Sequence, residues 1–215
     1  MRVIVTCGPS YEPIDRVRRI TNFSTGELGL LLTAALARAG HEVICLKGEG
    51  ATAHADLEGV KVGAFSTNDD LWSQLEGVAG QRDIGAVFHA AALCDYRLKA
   101  VCGAGGKTLT AAKLPTREGE VTLCLEPVAK LLPRLRDLFP AARIVGWKYE
   151  LDGTRDDALA LAGRQLDECR TDACVVNGAA WGAGFGFVEP GREPVPFGDK
   201  PALCAFLVGW LWNRN

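Results

Sequence analysis

Side chains with chemical potential collect in a few short segments of this chain, each following an apolar run. The first, Thr6-Cys7-Gly8-Pro9-Ser10-Tyr11-Glu12-Pro13-Ile14-Asp15, leads through Arg16, Arg18 and Arg19 to Thr21-Asn22-Phe23-Ser24-Thr25-Gly26-Glu27. Ser24, Thr25 and Gly26 stand ahead of an apolar helical pattern, where free backbone N–H groups and the helix dipole attract an anion. The stretch has neither the lysine nor the G-x-x-x-x-G-K-[ST] spacing of a P-loop, and it is not G-x-G-x-x-G. Phosphate binding and an ordinary capped helix beside a solvated arginine face both remain open. The second segment is His89-Ala90-Ala91-Ala92-Leu93-Cys94-Asp95-Tyr96. Three alanines at a strand end let a flat ligand approach the backbone. Asp95 can then bind a ribose hydroxyl, a base amino group or a metal ion, or simply cap a turn. His89 by itself reads as a satisfied core histidine.

Three further segments carry polar groups. Lys113, in Ala112-Lys113-Leu114, can close onto a triphosphate if it rides on a mobile flap, and is otherwise solvated surface. Trp147 and Lys148 end one apolar run, where Lys148 beside Glu150 also suits a plain ion pair; Asn177 ends another. The glycine-rich stretch from Trp181 to Phe187 follows Asn177 without opening a helix, and reads as a loop into a terminal strand.

These segments need elements to hold them, and the patterning supplies them. Strand-like runs cover Arg2 to Cys7, Glu42 to Lys47, Val60 to Phe65, Ile84 to Ala90, Arg143 to Tyr149 and Ala173 to Val176. Between them lie helical patterns from Glu27 to Ala39, from Thr67 or Asn68 to about Ala79, from Thr154 to about Cys169, and from Asp199 or Lys200 to Trp212. Strands alternating with helices predict right-handed βαβ units, hence an α/β, Rossmann-like, mostly parallel sheet with helices on both faces. Ligands of such sheets bind at the carboxyl ends of the strands, which is where the polar segments stand. From Cys94 to Leu125 the composition turns to Gly, Lys and Thr before a Val121–Leu125 strand, so an inserted flap or hairpin is expected over about 96–126 of a single 1–215 domain.

Composition removes several classes. The 215 residues are 48% apolar and 23% charged, which suits a globular core and excludes disorder and collagen-like order. A net charge of −2 gives no general case for nucleic acid. The longest apolar run, Leu28 to Ala37, is too short to span a bilayer, and the first residues lack a signal-peptide pattern, so no membrane is expected. Eight scattered cysteines without a C-x-x-C pair read as a cytoplasmic, reduced protein, and with three isolated histidines they argue against zinc.

Taken in order, the segments resemble the phosphopantothenoylcysteine synthetase family. Gly8-Pro9-Ser10-Tyr11-Glu12-Pro13-Ile14-Asp15 is similar to its G-G-T-x-E-P-I-D-like turn, and Asn22-Phe23-Ser24-Thr25-Gly26 to its N-x-S-S-G. Ala90-Ala91-Ala92-Leu93-Cys94-Asp95-Tyr96 resembles its A-A-A-V-x-D-Y/F, Lys113-Leu114 its flap K-I, Trp147-Lys148-Tyr149-Glu150-Leu151 its eukaryotic F-K-L-E-T, and Asn177 ends its V-A-N. The resemblance implies a ligase that joins 4′-phosphopantothenate to cysteine in coenzyme A biosynthesis. CTP or ATP, accompanied by Mg2+, would activate the carboxylate as an acyl-nucleotidylate. It further implies Asn22 and Lys113 as catalytic residues. Gly8, Ser10, Ser24, Thr25, Gly26, Ala90, Ala91, Ala92, Asp95, Trp147 and Lys148 would bind nucleotide, and Asn22 and Asn177 substrate. A homodimer is implied, with no resident metal, and nothing in the chain suggests FMN. Two departures stand out: Glu27 where the family carries Lys or Arg, and Pro9 in place of a glycine N–H donor. Glu27 motivates one alternative, a paralogue acting on another phosphorylated or carboxylated metabolite; a nucleotide-binding module without ligase activity is a second.

Overall fold

The chain order is β1 (Arg2–Cys7), β2 (Tyr11–Pro13), β3 (Arg19–Thr21), α1 (Glu27–Arg38), β4 (Glu42–Gly48), β5 (Lys61–Phe65), α2 (Asn68–Ala79), β6 (Ala86–His89), β7 (Tyr96–Cys102) and β8 (Thr122–Pro127). It continues with α3 (Leu132–Leu138), β9 (Arg143–Tyr149), α4 (Arg155–Cys169), β10 (Ala173–Asn177), β11 (Phe185–Val188), β12 (Val195–Phe197) and α5 (Lys200–Trp212). These elements come from a computed structural model that describes residues 1–80 and 83–212, so the end of the expected 1–215 domain lies outside the described residues.

Eight strands form one sheet in the order β12-β11-β10-β9-β6-β1-β4-β5. From β10 to β5 every neighbouring pair is parallel, and only β11 runs against its neighbours. This is the expected α/β sheet, with the strand order of a doubly wound nucleotide fold. Its topological switch lies between β1 and β6, where the chain departs toward opposite edges and a crevice opens.

Alternation along each strand decides which helix it meets. Val3, Val5, Val43 and Phe88 point to one face and are covered by Leu32 and Leu36 of α1 and Leu203 and Leu207 of α5. Ile4, Ile44, Val87 and Ile144 point to the other, under Leu71 and Leu75 of α2 and Leu135 of α3. Ala158, Ala162 and Leu166 of α4 cover Cys174 and Val176 on that same side of β10. The caps follow local chemistry: Thr67 Oγ1 accepts from Asp70 N, and Thr154 with Asp157 forms a reciprocal capping box. Among the described residues no helix is long and apolar enough to cross a membrane.

The expected insertion is the β7–β8 hairpin, which pairs only with itself. The strand expected over Ile84 to Ala90 is shorter, Ala86–His89. The β2–β3 hairpin, β12 and α3 were not expected. α3 starts at Leu131–Leu132 with no side-chain cap and a proline in its first turn, and it is held by tertiary bonds instead. Arg136 bonds Asp172 Oδ2 at 2.6 Å, the Ala142 carbonyl at 2.7 Å and the Arg170 carbonyl at 3.0 Å, and Asp172 also accepts from Ile144 N at 2.6 Å.

Candidate functional site

A cleft of about 770 Å³ opens at the carboxyl ends of β1, β6, β9 and β10, on the switch point. Its floor exists because α1 comes unusually close to β1. A Cβ on Gly29 would stand 2.2 Å from Cys7 Cβ, so only glycine lets the helix lie there. Gly26, the residue before α1, has φ +76 and also stands against the Gly8 backbone. Gly8, Gly26 and Gly29 thus do the packing work of a dinucleotide-binding turn, with residues 9–25 inserted between the first two. That insertion hides the pattern from a linear motif search. Gly29 was missed for this reason, and Gly26-x-x-Gly29 was the available signal.

Asn22, Ser24, Thr25 and Gly26 form one wall. Asn22 Nδ2 donates to the carbonyls of Ala92 at 3.1 Å and Leu93 at 2.9 Å, tying this wall to the end of β6. Both donors are thereby occupied, and Oδ1 is the group Asn22 has left to offer a ligand. Ala90, Ala91, Ala92 and Asp95 form the second wall, and Trp147, Lys148 and Asn177 close the far side.

Three expected residues do not line the cleft. Gly8 is packed beneath it, against Ala51 and Gly26. Ser10 is fully buried, its Oγ accepting from Cys94 N at 2.8 Å. Both stand behind the wall because the Pro9–Ala92 bridge fastens this turn to the strand end instead of opening it to ligand. Lys113 is on an exposed stretch of the hairpin insertion that docks on the turn between β2 and β3. Arg16 N donates to the Ala112 carbonyl at 3.0 Å, Leu114 N to Asp15 Oδ2 at 3.0 Å, and Arg18 to the Leu114 carbonyl at 2.7 Å. The Leu114 N–H, with those of Val17 and Arg18, holds the Asp15 carboxyl below the usual carboxylate range.

Charge around the cleft comes in ion pairs. Lys148 pairs with Glu150 at 3.0 Å, Lys130 with Asp95 at 3.7 Å, and Lys200 of α5 with Glu27 of α1. Lys130 and Lys200 were missed, since each looks like ordinary surface in sequence. Asn68 was missed as well: it sits 3% exposed at the start of α2, donates from Nδ2 to the Cys94 carbonyl at 2.8 Å, and keeps an unpartnered Oδ1 in the wall. His89 lies at the base, bonded through Nδ1 to Thr6 Oγ1 at 2.9 Å, and full burial pushes its pKa down to about 4. A neutral imidazole at the base and paired lysines around the rim suit a ligand with a flat apolar part and several anionic groups.

The geometry agrees with what the chain is similar to. A family model described as the DNA/pantothenate metabolism flavoprotein C-terminal domain matches residues 1–190. The chain belongs to this family. Among curated relatives, the coenzyme A biosynthesis bifunctional protein CoaBC of Thermococcus kodakarensis is 27% identical over 177 residues, 82% of this chain and 41% of that protein. The chain spans less than half the length of the curated relatives it matches. In structure it resembles the DNA/pantothenate metabolism flavoprotein of Streptococcus pneumoniae, with TM-score 0.86, 24% identity, and coverage of 99% of this chain and 98% of that one. The H337A mutant of Cab2 in complex with phosphopantothenate-cysteine has TM-score 0.72 at 19% identity, covering 98% and 85%. These two share the fold, including the sheet whose switch point carries the cleft.

Proposed function

We propose that this chain is a cytoplasmic, nucleotide-dependent ligase joining 4′-phosphopantothenate to cysteine in coenzyme A biosynthesis. The observation that carries the reading is one cleft at the sheet's switch point that combines a helix start whose N-cap, Gly26, has no side chain, three lysines and an asparagine wall. Membership of the family, and relatives named for coenzyme A biosynthesis, point the same way.

In this reaction the pantothenate carboxylate attacks the α-phosphorus of CTP or ATP, and pyrophosphate leaves with the broken P–O bond's electron pair. The amine of cysteine then attacks the acyl carbon, the nucleoside monophosphate departs, and the amine's proton passes to solvent. The N–H groups that open α1 after Glu27, whose own N–H donates to Thr25 Oγ1 at 3.3 Å, receive phosphate oxygens, and Lys148 offsets the charge that develops on them. Ala90 to Ala92 give a flat backbone surface to the nucleotide, with Asp95 accepting from its ribose or base. Asn22 Oδ1 accepts an N–H or O–H of the acyl substrate, because Nδ2 is already committed to Ala92 and Leu93. Asn177, whose carboxamide has no hydrogen bond among the described residues, faces the same substrate from β10. Lys113 joins the triphosphate once its stretch releases the β2–β3 turn.

Among the described residues no group of three or more His, Cys, Asp or Glu is placed to hold a metal. In this reading Mg2+ comes with the triphosphate as part of the substrate, liganded mainly by phosphate oxygens. A homodimer is part of the proposal; exposed Tyr96, Leu123 and Leu125 on the β7–β8 hairpin support it.

The test is pyrophosphate release from folded protein with Mg2+, 4′-phosphopantothenate and CTP or ATP, with and without cysteine. Release with at least one nucleotide, and an amide product by mass only when cysteine is present, is expected. No release with either nucleotide would overturn the reading.

A further inference from the structure

We propose that Lys200, at the start of the C-terminal helix, is the cation that receives a phosphoanion at the mouth of α1, and that Glu27 is its positioning residue. The proposal rests on the reading of the cleft as a site for phosphorylated ligands.

Glu27 and Lys200 are 173 positions apart, yet both line the cleft and pair with each other across it. Glu27 is the first residue of α1, where a carboxylate is favoured by the helix dipole but would repel an incoming phosphate. Lys200 is the first residue of α5, where a cation is disfavoured by that helix's own dipole. Its position is therefore not explained by helix formation. Asp199 already satisfies the helix start, accepting from Ala202 N at 2.8 Å. The backbone under Lys200 is fixed by packing: Leu203 and Leu207 are buried with Leu32 and Leu36 of α1, and the Cys204 thiol donates to the Leu28 carbonyl at 4.0 Å. A rigid helix start thus delivers an ammonium to a site on another helix.

The pair is half exposed, with side-chain exposures of 37% for Lys200 and 49% for Glu27, so it contributes little to stability and is open to ligand. Elsewhere in the lining of the same cleft, beside Cys94, Asn68 is 3% exposed and holds an acceptor without a partner. In the free chain Glu27 keeps the ammonium at the cleft mouth. When a phosphate arrives, the ammonium bonds it, because a phosphate carries about −1.5 to −2 charge and three acceptor oxygens against the single charge of the carboxylate. Lys200 lies beyond the 1–190 stretch that the family model matches.

The phosphoanion belongs either to the nucleoside triphosphate or to 4′-phosphopantothenate, and the experiment separates them. Calorimetry on the full chain measures each ligand alone, and inorganic pyrophosphate alone, for wild type and for Lys200→Met, Lys200→Arg and Glu27→Gln. Lys200→Met is expected to weaken one phosphorylated ligand about 10–100-fold and to flatten its salt dependence, while Lys200→Arg stays within about threefold of wild type. Glu27→Gln is expected to tighten the same ligand about 3–10-fold, because its Oε1 still accepts from the ammonium while the repelling charge is gone. Opposite signs for the two partners are what a merely structural pair would not give. Unchanged affinities in both variants, or weakening in both, would overturn the inference, with melting temperatures confirming that each variant is folded. Pyrophosphate binding that depends on Lys200 without binding of either organic ligand would uphold the inference and sink the proposed ligase. No binding of any probe to wild type would sink both.

Discussion

Gly29→Ala tests whether the contact between α1 and β1 builds the site. The added methyl would begin 2.2 Å from Cys7 Cβ, whereas carbon atoms at rest stand about 3.5–4.0 Å apart. The Cys7 side is buried β1 backbone in the middle of the sheet, so the helix must give way, by about 1.5 Å if that separation is to be restored. Overpacking of this kind costs about 1–3 kcal/mol. Alanine's better helix propensity returns up to about 1 kcal/mol, so a net loss isolates the clash. With the full propensity gain returned, the net loss is up to about 2 kcal/mol, and for a domain of this size the melting temperature should fall by up to roughly 8 °C. Turnover should fall further than stability predicts, by roughly 10²-fold, since the displaced N–H groups are those that meet phosphate. Gly77→Ala is the matched control, an exposed glycine of α2 with no atom within 4 Å of its added methyl, and it should gain about 0.5–1 kcal/mol. Scanning calorimetry and pyrophosphate-release kinetics on both variants measure the two effects. A Gly29→Ala protein that melts higher, as the control does, would refute the reasoning about the helix approach.

Asn22→Ala removes two hydrogen bonds to strand-end carbonyls and should cost about 1–2 kcal/mol while cutting turnover by about 10²-fold or more; near-wild-type turnover would remove Asn22 from the mechanism. His89 predicts an acid sensitivity. Its pKa is about 4 folded and about 6.5 unfolded, so below pH 6.5 the unfolded chain takes up a proton that the folded chain refuses. Stability from this group is complete above pH 6.5 and declines by roughly 3 kcal/mol as pH falls to 4, and urea unfolding of His89→Gln across that window should show a correspondingly flatter slope. Of the eight cysteines, Cys102 and Cys124 are the two not buried, so a thiol reagent should label these two in the native protein. Labelling of Cys7 or Cys45 before unfolding would contradict the packing under α1.

Most of the sheet was legible because its strands are short, uninterrupted apolar runs between clear helix starts such as Thr67 and Thr154. What escaped had no local signature. α3 is two turns long with a proline in its first turn, and its existence depends on Arg136 reaching carbonyls and a carboxylate from other elements. β12 has three residues, and β2 and β3 three each, too few for a periodicity. In the site, residues at or shortly after the carboxyl ends of the expected strands were readable by position: Ala90 to Ala92, Asp95, Trp147, Lys148 and Asn177 all reach the cleft wall, and so does Asn22. Lys113 was placed by motif alone, and its stretch docks on Asp15 instead. Lys200 and Asn68 are set by which helix starts face the cleft, a fact that only the packed sheet determines.

Glu27 shows why the distinction matters. Taken from its neighbours in sequence, an anion at the head of α1 contradicts a phosphate site and argues for a changed substrate. In the fold the same carboxylate is half of a neutral pair whose other half is Lys200 of α5. The net charge of that corner is zero, as it would be with both residues absent, but an ammonium now lines the cleft beside the carboxylate, and on the proposal above it is the group that meets the ligand. A substitution that looks like loss of an anion site is therefore compatible with one whose cation has moved to another helix. The position of a charge in space, not its place beside a motif, decides whether a phosphate can be held there.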